Sequence, residues 1–348
     1  MASTTTPKVT VLMPVYNSAR FLREAIDSIL QQTFTDFEFL IIDDGSTDES
    51  IAIVQSYTDP RIRFLQNARN MGISPTLNKG IALAAAPYIA RMDADDISYP
   101  DRLQKQYNYL QAHPDCAMVS CLVRVITEDG RFVRQDLFHS QYFYYNLTFI
   151  CWIYHPTVMY RKDAVQEVGM YTAAYSEDFE LFWQLSRKYK FYNLPEVLLD
   201  YRQTSQSLHQ VLRKQEYAEA QHAQLLRNFR YYAGENYTIP ESYLECLQHN
   251  FKPLLAEKSP GSVVACIREL DFLTQQILAK ENVNYDAAAI KLAAFYKRRF
   301  IARYFLKHLP AYQGVPLFIR LGYADDLLKK LKKKLLKTIR RSPGAASA

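Results

Sequence analysis

The chain lacks the marks of a secreted, disulfide-stapled or membrane-spanning protein. Its 348 residues include only five cysteines (Cys116, Cys121, Cys151, Cys246, Cys266), an odd number with no C-x-x-C pair. That argues against a disulfide frame or a zinc site and leaves reduced core thiols in a cytosolic protein as the expectation. No apolar run approaches the roughly 20 residues that a bilayer-spanning helix requires. Met1 to Lys8 has no apolar stretch of the signal-peptide kind. A soluble or peripheral protein on the cytoplasmic side is expected. The net charge is a mild +6, but eight Lys and Arg crowd positions 329 to 341.

What is present is an alternation of buried strands and amphipathic helices. Val9 to Val15 reads as a strand, followed by a helix capped at Asn17 or Ser18 with Phe21, Leu22, Ala25, Ile26, Ile29 and Leu30 on one face. Phe37 to Ile42 is a second strand, after which Ser46 and Glu49 match a capping box opening a second helix. Ile62 to Leu65 is a third strand. Ser74-Pro75 marks the start of a helix running to Ala86, and Tyr88 to Met92 is a fourth strand. This order predicts right-handed crossovers and a parallel sheet covered on both faces. Tyr16, Asp43-Asp44 and Asp93-Ala94-Asp95 then all lie at one sheet edge, where open α/β sheets bind ligands.

The triplet Asp93-Ala94-Asp95, with Asp96 behind it, places a hard-oxygen cluster at a strand end, a donor set suited to Mg²⁺ or Mn²⁺. Further along, a hairpin turns at Glu128-Asp129-Gly130. Residues 140 to 154 are crowded with aromatics, and Ser176-Glu177-Asp178 opens a helix. Val197 to Tyr201 is the last strand expected. Beyond Ser207 the alternation stops, so the division expected is 1–207 for the α/β unit and 208–348 for a helical region.

Five segments together resemble glycosyltransferase family 2: Val11-Leu12-Met13-Pro14-Val15-Tyr16-Asn17, Ile42-Asp43-Asp44-Gly45-Ser46, Asn70-Met71-Gly72 with Leu77-Asn78-Lys79-Gly80, Asp93-Ala94-Asp95-Asp96 and Ser176-Glu177-Asp178. The resemblance covers Lys8 to His209. It implies the GT-A fold, a Rossmann-like α/β architecture for nucleotide-diphospho-sugars, here followed by an all-helical C-terminal region. It implies a donor site in which Pro14 and Tyr16 flank the base and Asp43 or Asp44 accepts from it, favouring UDP over GDP. Arg69, Asn78 and Lys79 would contact base or diphosphate. Asp93 and Ala94 would meet the ribose, and Asp95 with Asp93 would hold the divalent metal (Mn²⁺ or Mg²⁺). Asp178 would be the base and Glu177 its orienting partner, Trp152 and His155 would meet the acceptor, and Arg202 would close on the diphosphate. His209 falls later than the usual position after Tyr201-Arg202.

The function implied is inverting transfer of a sugar from a nucleotide-sugar donor to a hydroxyl of a glycan or lipid-linked acceptor in cell-envelope polysaccharide assembly. Two rivals are a nucleotidyltransferase and a non-catalytic scaffold that binds nucleotide sugar or membrane. The first wants a Gly-rich basic loop after strand one, which Pro14-Val15-Tyr16-Asn17 is not. Near the end, Leu327, Leu328, Leu331, Leu335, Leu336 and Ile339 share a helical face opposite the cations. That pattern fits either an anionic membrane surface or a packed terminal helix with a solvated side. Nucleic acid is not expected as a partner, since no groove-reading or base-stacking module accompanies the basic run.

Overall fold

The computed structural model describes residues 6–204 and 214–329. β1 (Val9–Val15) and β2 (Phe37–Asp43) are buried along almost their whole length, as strands covered on both faces must be. α1 (Leu22–Leu30) joins them, burying Leu22, Ala25, Ile26 and Ile29 at helical spacing. α2 (Ser50–Gln55), β3 (Ile62–Gln66), α3 (Ile73–Leu83) and β4 (Tyr88–Arg91) follow, and these four strands pair in parallel in the order β3-β2-β1-β4.

Three helix starts differ from those expected, each because the capping side chain is used elsewhere. Asn17 takes a positive φ of 48° and its Oδ1 accepts the Thr47 N–H at 2.8 Å, while Ser46 Oγ accepts the Asn17 N–H at 2.9 Å. The two turns thus tie each other down. α1 begins after Phe21 and α2 after Glu49, neither with a side-chain cap. α3 is capped by Gly72, and Ser74 Oγ instead donates to the Ala173 carbonyl at 2.6 Å.

The sheet then becomes mixed. After β5 (Ile97–Ser98) and α4 (Arg102–Ala112), the long β6 (Cys116–Ile126) turns into β7 (Phe132–Gln135). α5 (Phe143–Asn146), β8 (Met159–Arg161), α6 (Lys162–Glu167), α7 (Glu177–Ser186) and β9 (Lys190–Arg202) complete the α/β part. β8 inserts antiparallel between β4 and β6, and β9 runs parallel to β6. β9 begins seven residues before the expected Val197 because Lys190 to Leu194 pair with Cys116 to Cys121.

Alternate residues of the central strands feed two cores, as period-two geometry requires. Val11, Met13, Phe39 and Ile41 pack with α1 and α4. Leu12, Leu40 and Ile42 belong to a second cluster that continues through Tyr144, Tyr145 and Phe149 into the C-terminal helices. These are α8 (Lys214–Ala233), α9 (Glu241–Leu247), α10 (Lys252–Ala256), α11 (Pro260–Leu278), α12 (Ala287–His308) and α13 (Ala311–Arg320). Most of the aromatic segment is therefore packing: Tyr145 meets Thr274 Oγ1 at 2.8 Å and Tyr144 meets Tyr232 Oη at 2.9 Å. No helix among the described residues is long and apolar enough to cross a membrane. Most of the basic segment lies outside the described residues, as do Ser205, Ser207 and His209.

Candidate active site

A cleft of about 1130 Å³ opens at the carboxyl ends of β1 and β4. β4 ends in Arg91, which is only 1% exposed, and its Nη2 donates to Asp93 Oδ1 at 2.6 Å. Past that point the chain is braced by Arg202 at the end of β9. The Arg202 N–H donates to Asp96 Oδ1 and its Nε to the Asp95 carbonyl, both at 2.8 Å, while Nη1 reaches the Glu128 carbonyl. Its Nη2 pairs with Glu24, and the guanidinium lies 4.5 Å from the Phe21 ring centre. This fork fixes the backbone of the acidic turn and leaves the carboxylates of Asp93 and Asp95 lining the cleft.

Burial, and then the neighbouring Asp93, push Asp95 up to about 7. Asp96 is pushed well above the usual carboxylate range for the same reason, with its Oδ2 buried and without a partner. Acids crowded in this way favour a bound cation. The donor set fits a hard divalent ion: Asp93 keeps one oxygen free of Arg91, and among the described residues no cationic side chain is bonded to Asp95.

A second part of the lining begins at Ser176, which precedes α7 in a left-handed conformation (φ 54°). A serine pays roughly 1–3 kcal/mol for such a backbone unless its surroundings hold it. Here α8 does so, with Gln224 Nε2 donating to the Ser176 carbonyl and Gln221 Nε2 to its Oγ, both at 3.1 Å. The kink swings Glu177 and Asp178 into the cleft. Glu177 is pushed up to about 8 by burial and by Asp178, and its Oε2 has no partner. Asp178 rises only to about 6, because the Phe179 N–H at 2.8 Å offsets burial. The two titrate as a pair, with Asp178 ionising first. His155, 3.7 Å from Glu177, is held neutral by burial and by Arg91, and its Nε2 meets Tyr171 Oη at 2.6 Å. The start of α7 therefore offers the cleft Asp178, the more readily ionised of the two, beside Glu177, whose burial favours the neutral acid. If α8 sets this geometry, Gln224→Ala lowers kcat roughly tenfold and leaves nucleotide affinity unchanged. Steady-state kinetics together with a binding titration check it.

Of the residues expected from sequence, Pro14, Tyr16, Asp93, Ala94, Asp95, Trp152, His155, Glu177, Asp178 and Arg202 line this cleft. Tyr16 is half exposed, as a stacking platform requires, and Trp152 stacks on Phe138 with ring centres 5.6 Å apart. Asp43, Asp44, Arg69, Asn78 and Lys79 do not line it. Asp44 is saturated by Asn67 Nδ2 (2.7 Å) and the Met71 and Gly72 N–H groups (2.9 Å each). Asp43 Oδ2 accepts from Gly45 and Ser46, while its Oδ1 is buried and unpartnered. Lys79 Nζ donates to Asn67 Oδ1 at 2.6 Å. Asn78 grips the Tyr171 backbone at both its N–H and C=O, which fixes the ring that holds His155. Arg69 is exposed, its backbone packed so close to Gly45 (φ 79°) that a Cβ there would lie 2.8 Å from it.

Sequence reasoning missed Arg91, the cleft-lining Tyr217 and the two glutamines. Arg91 had one signal, a charge inside an otherwise apolar strand. The α8 residues had none, because a run such as Ala220-Gln221-His222-Ala223-Gln224 also describes a solvated helix face.

Residues 10–169 match the family model described as Glycosyl transferase family 2. The chain is 32% identical to the O-antigen biosynthesis glycosyltransferase WbnJ of Escherichia coli, over 71% of its own length and 96% of that protein. It is also 32% identical to an uncharacterised glycosyltransferase of Methanocaldococcus jannaschii, over 56% and 71% of the two chains. Among solved structures it resembles S. aureus TarS 1-349 in complex with UDP-GlcNAc (TM-score 0.54, 15% identity, 87% and 92% coverage). It also resembles the mannosyltransferase PcManGT of Pyrobaculum calidifontis with GDP-Man and Mn²⁺ (TM-score 0.51, 18% identity, 85% and 88% coverage). At such identities these two establish the fold alone, a GT-A unit followed by helices. Family match, full-length relative and fold agree: the chain belongs to glycosyltransferase family 2.

Proposed function

We propose that the protein is a metal-dependent inverting glycosyltransferase that moves a sugar from a nucleotide-diphosphate donor to a hydroxyl of a glycan or lipid-linked acceptor. The observation that carries this reading is the gathering of Glu177 and Asp178, both raised by burial, into one cleft with Asp93 and Asp95. Direct displacement needs a single base within reach of the acceptor hydroxyl and no second nucleophile. Asp178 is ionised for that task, and Glu177, as a neutral acid, orients it or the acceptor.

On the donor side, Tyr16 offers its exposed ring to the base, with Pro14 beneath. The family resemblance gives the base-accepting carboxylate to Asp43 or Asp44, which favours UDP, although both side chains are buried outside the cleft lining. Arg69, exposed beside the Gly45 turn, would approach base or phosphate, while Asn78 and Lys79 act by holding Tyr171 and Asn67. Asp93 and Ala94 meet the ribose, and Asp95 with Asp93 would hold Mn²⁺ or Mg²⁺. A divalent ion there neutralises charge on the departing diphosphate. Arg202 keeps the acidic turn in register. Trp152 and His155 form the acceptor wall. The nucleotide sugars bound by TarS and PcManGT, the Mn²⁺ of the latter and the O-antigen role of WbnJ support a nucleotide-sugar donor, a metal and cell-envelope polysaccharide assembly.

The test is stereochemical. With an α-linked donor, the product's anomeric proton should show the β configuration by NMR. An α product would require a double displacement, for which one base is not enough.

A further inference from the structure

Charge is sharply segregated along this chain. Residues 287–348 hold 15 of the 42 Lys and Arg but 2 of the 36 acids, a local charge of +13 on a protein whose total is +6. No Asp or Glu occurs from 287 to 324. On α12, Leu292, Phe295, Tyr296 and Phe300 lie on one exposed side at helical spacing. The exposed Arg303 and Lys307 continue the same side. α13 exposes Tyr312, Val315 and Ile319, again one helical stripe, with Tyr312 at 75% exposure. Solvated helices seldom leave this many large apolar side chains in water together.

Where the described chain ends is also informative. Asp326 pairs with Arg299 at 2.7 Å and with Arg303 at 3.5 Å, so the last described turn lies on the same side of α12. The sequence beyond Lys329 adds seven more Lys and Arg by Arg341, starting from this spot. Aromatic rings interleaved with cations that outnumber the one acid paired among them, Asp326, complement an anionic lipid surface: the rings enter the headgroup region and the cations meet phosphates. A second copy of the chain fits poorly, since a two-fold contact would set these cations against themselves.

The face is continuous with the cleft. Phe300 packs on His249 (ring centres 4.8 Å apart), and His249 packs on Trp152 (6.1 Å) in the cleft wall. We infer that the α12–α13 face docks on an anionic bilayer and holds the Trp152 side of the cleft toward it, so that the acceptor hydroxyl is presented on a lipid-anchored carrier. The carrier clause rests on the sugar-transfer reading above; the docking itself does not.

The test is co-sedimentation of the full-length protein with phosphatidylcholine vesicles, with and without 30% phosphatidylglycerol. Two variants are compared, Phe295→Ser/Phe300→Ser and Arg303→Glu/Lys307→Glu. The second alters only exposed positions and guards against a folding defect in the first. Partitioning is expected on the anionic vesicles alone, to weaken in high salt, and to fall roughly tenfold or more in each variant. UDP and GDP titrations of the same variants should match the parent. A parent that binds no nucleotide but still partitions would sink the transfer reading and leave docking intact. No partitioning, equal partitioning on neutral vesicles, or variants that partition like the parent would overturn docking. So would a dimer of the parent, seen by sedimentation, that Phe295→Ser/Phe300→Ser abolishes.

Discussion

Replacing Asp178 with Asn should lower turnover by about 10²- to 10⁴-fold, the range for losing a general base. The isosteric amide keeps the Phe179 N–H contact through its oxygen, so folding and donor binding should be unchanged. Release of nucleoside diphosphate from the donor, followed with and without acceptor, measures the loss; a variant with full turnover would mean another group takes the proton. The parent's pH profile carries the same information. Asp178 must be ionised, so kcat/KM should rise with pH on a limb whose apparent pKa is near 6, a value belonging to the Asp178–Glu177 pair. A flat profile between pH 5 and 8 would contradict the assignment.

The second large effect is on stability, and it runs opposite to activity. Asp95, Glu177 and Asp178 all have folded-state values above the ordinary carboxylate range. The stability they contribute is therefore complete below about pH 4, where folded and unfolded chains alike are protonated, and declines as pH rises through 6 to 8. In metal-free buffer the melting temperature should fall over that window. Asp95→Asn removes one of the charges that must be ionised in the cleft, so at pH 8 it should melt higher by a few degrees, about 2–4 °C per kcal/mol recovered. At pH 4 the difference should vanish. Differential scanning calorimetry at the two pH values decides it, and an Asp95→Asn variant less stable than the parent at pH 8 would show that the carboxylate is stabilising after all. A site that is costly when empty and productive when filled is the usual signature of function opposing stability.

The parallel half of the sheet was legible because its strands are continuous apolar runs and its acids sit at strand ends, where topology brings them to one edge. The acidic turn was legible for the same reason, and the Glu177-Asp178 start of α7 as acids opening a helix within a family motif. Helix starts were not, since Asn17 and Ser46 bond across to each other's turns, and nothing local distinguishes that from a cap. The roles expected for Asn78 and Lys79 rest on position within a motif, whereas the fold spends these side chains on Tyr171 and Asn67. Least legible was α8. Its glutamines matter only because the chain returns to Ser176, a contact across 45 and 48 residues that no local pattern encodes.

One measurement bears most directly on whether the acidic cleft is a nucleotide-sugar site. Calorimetric titration with UDP and with GDP, each in Mn²⁺ and in chelator, should show one nucleotide binding in metal, with UDP favoured. That heat should disappear in chelator and in Asp95→Ala. No binding of either nucleotide in any metal condition, or binding that Asp95→Ala leaves intact, would contradict a metal-dependent donor site at Asp93 and Asp95.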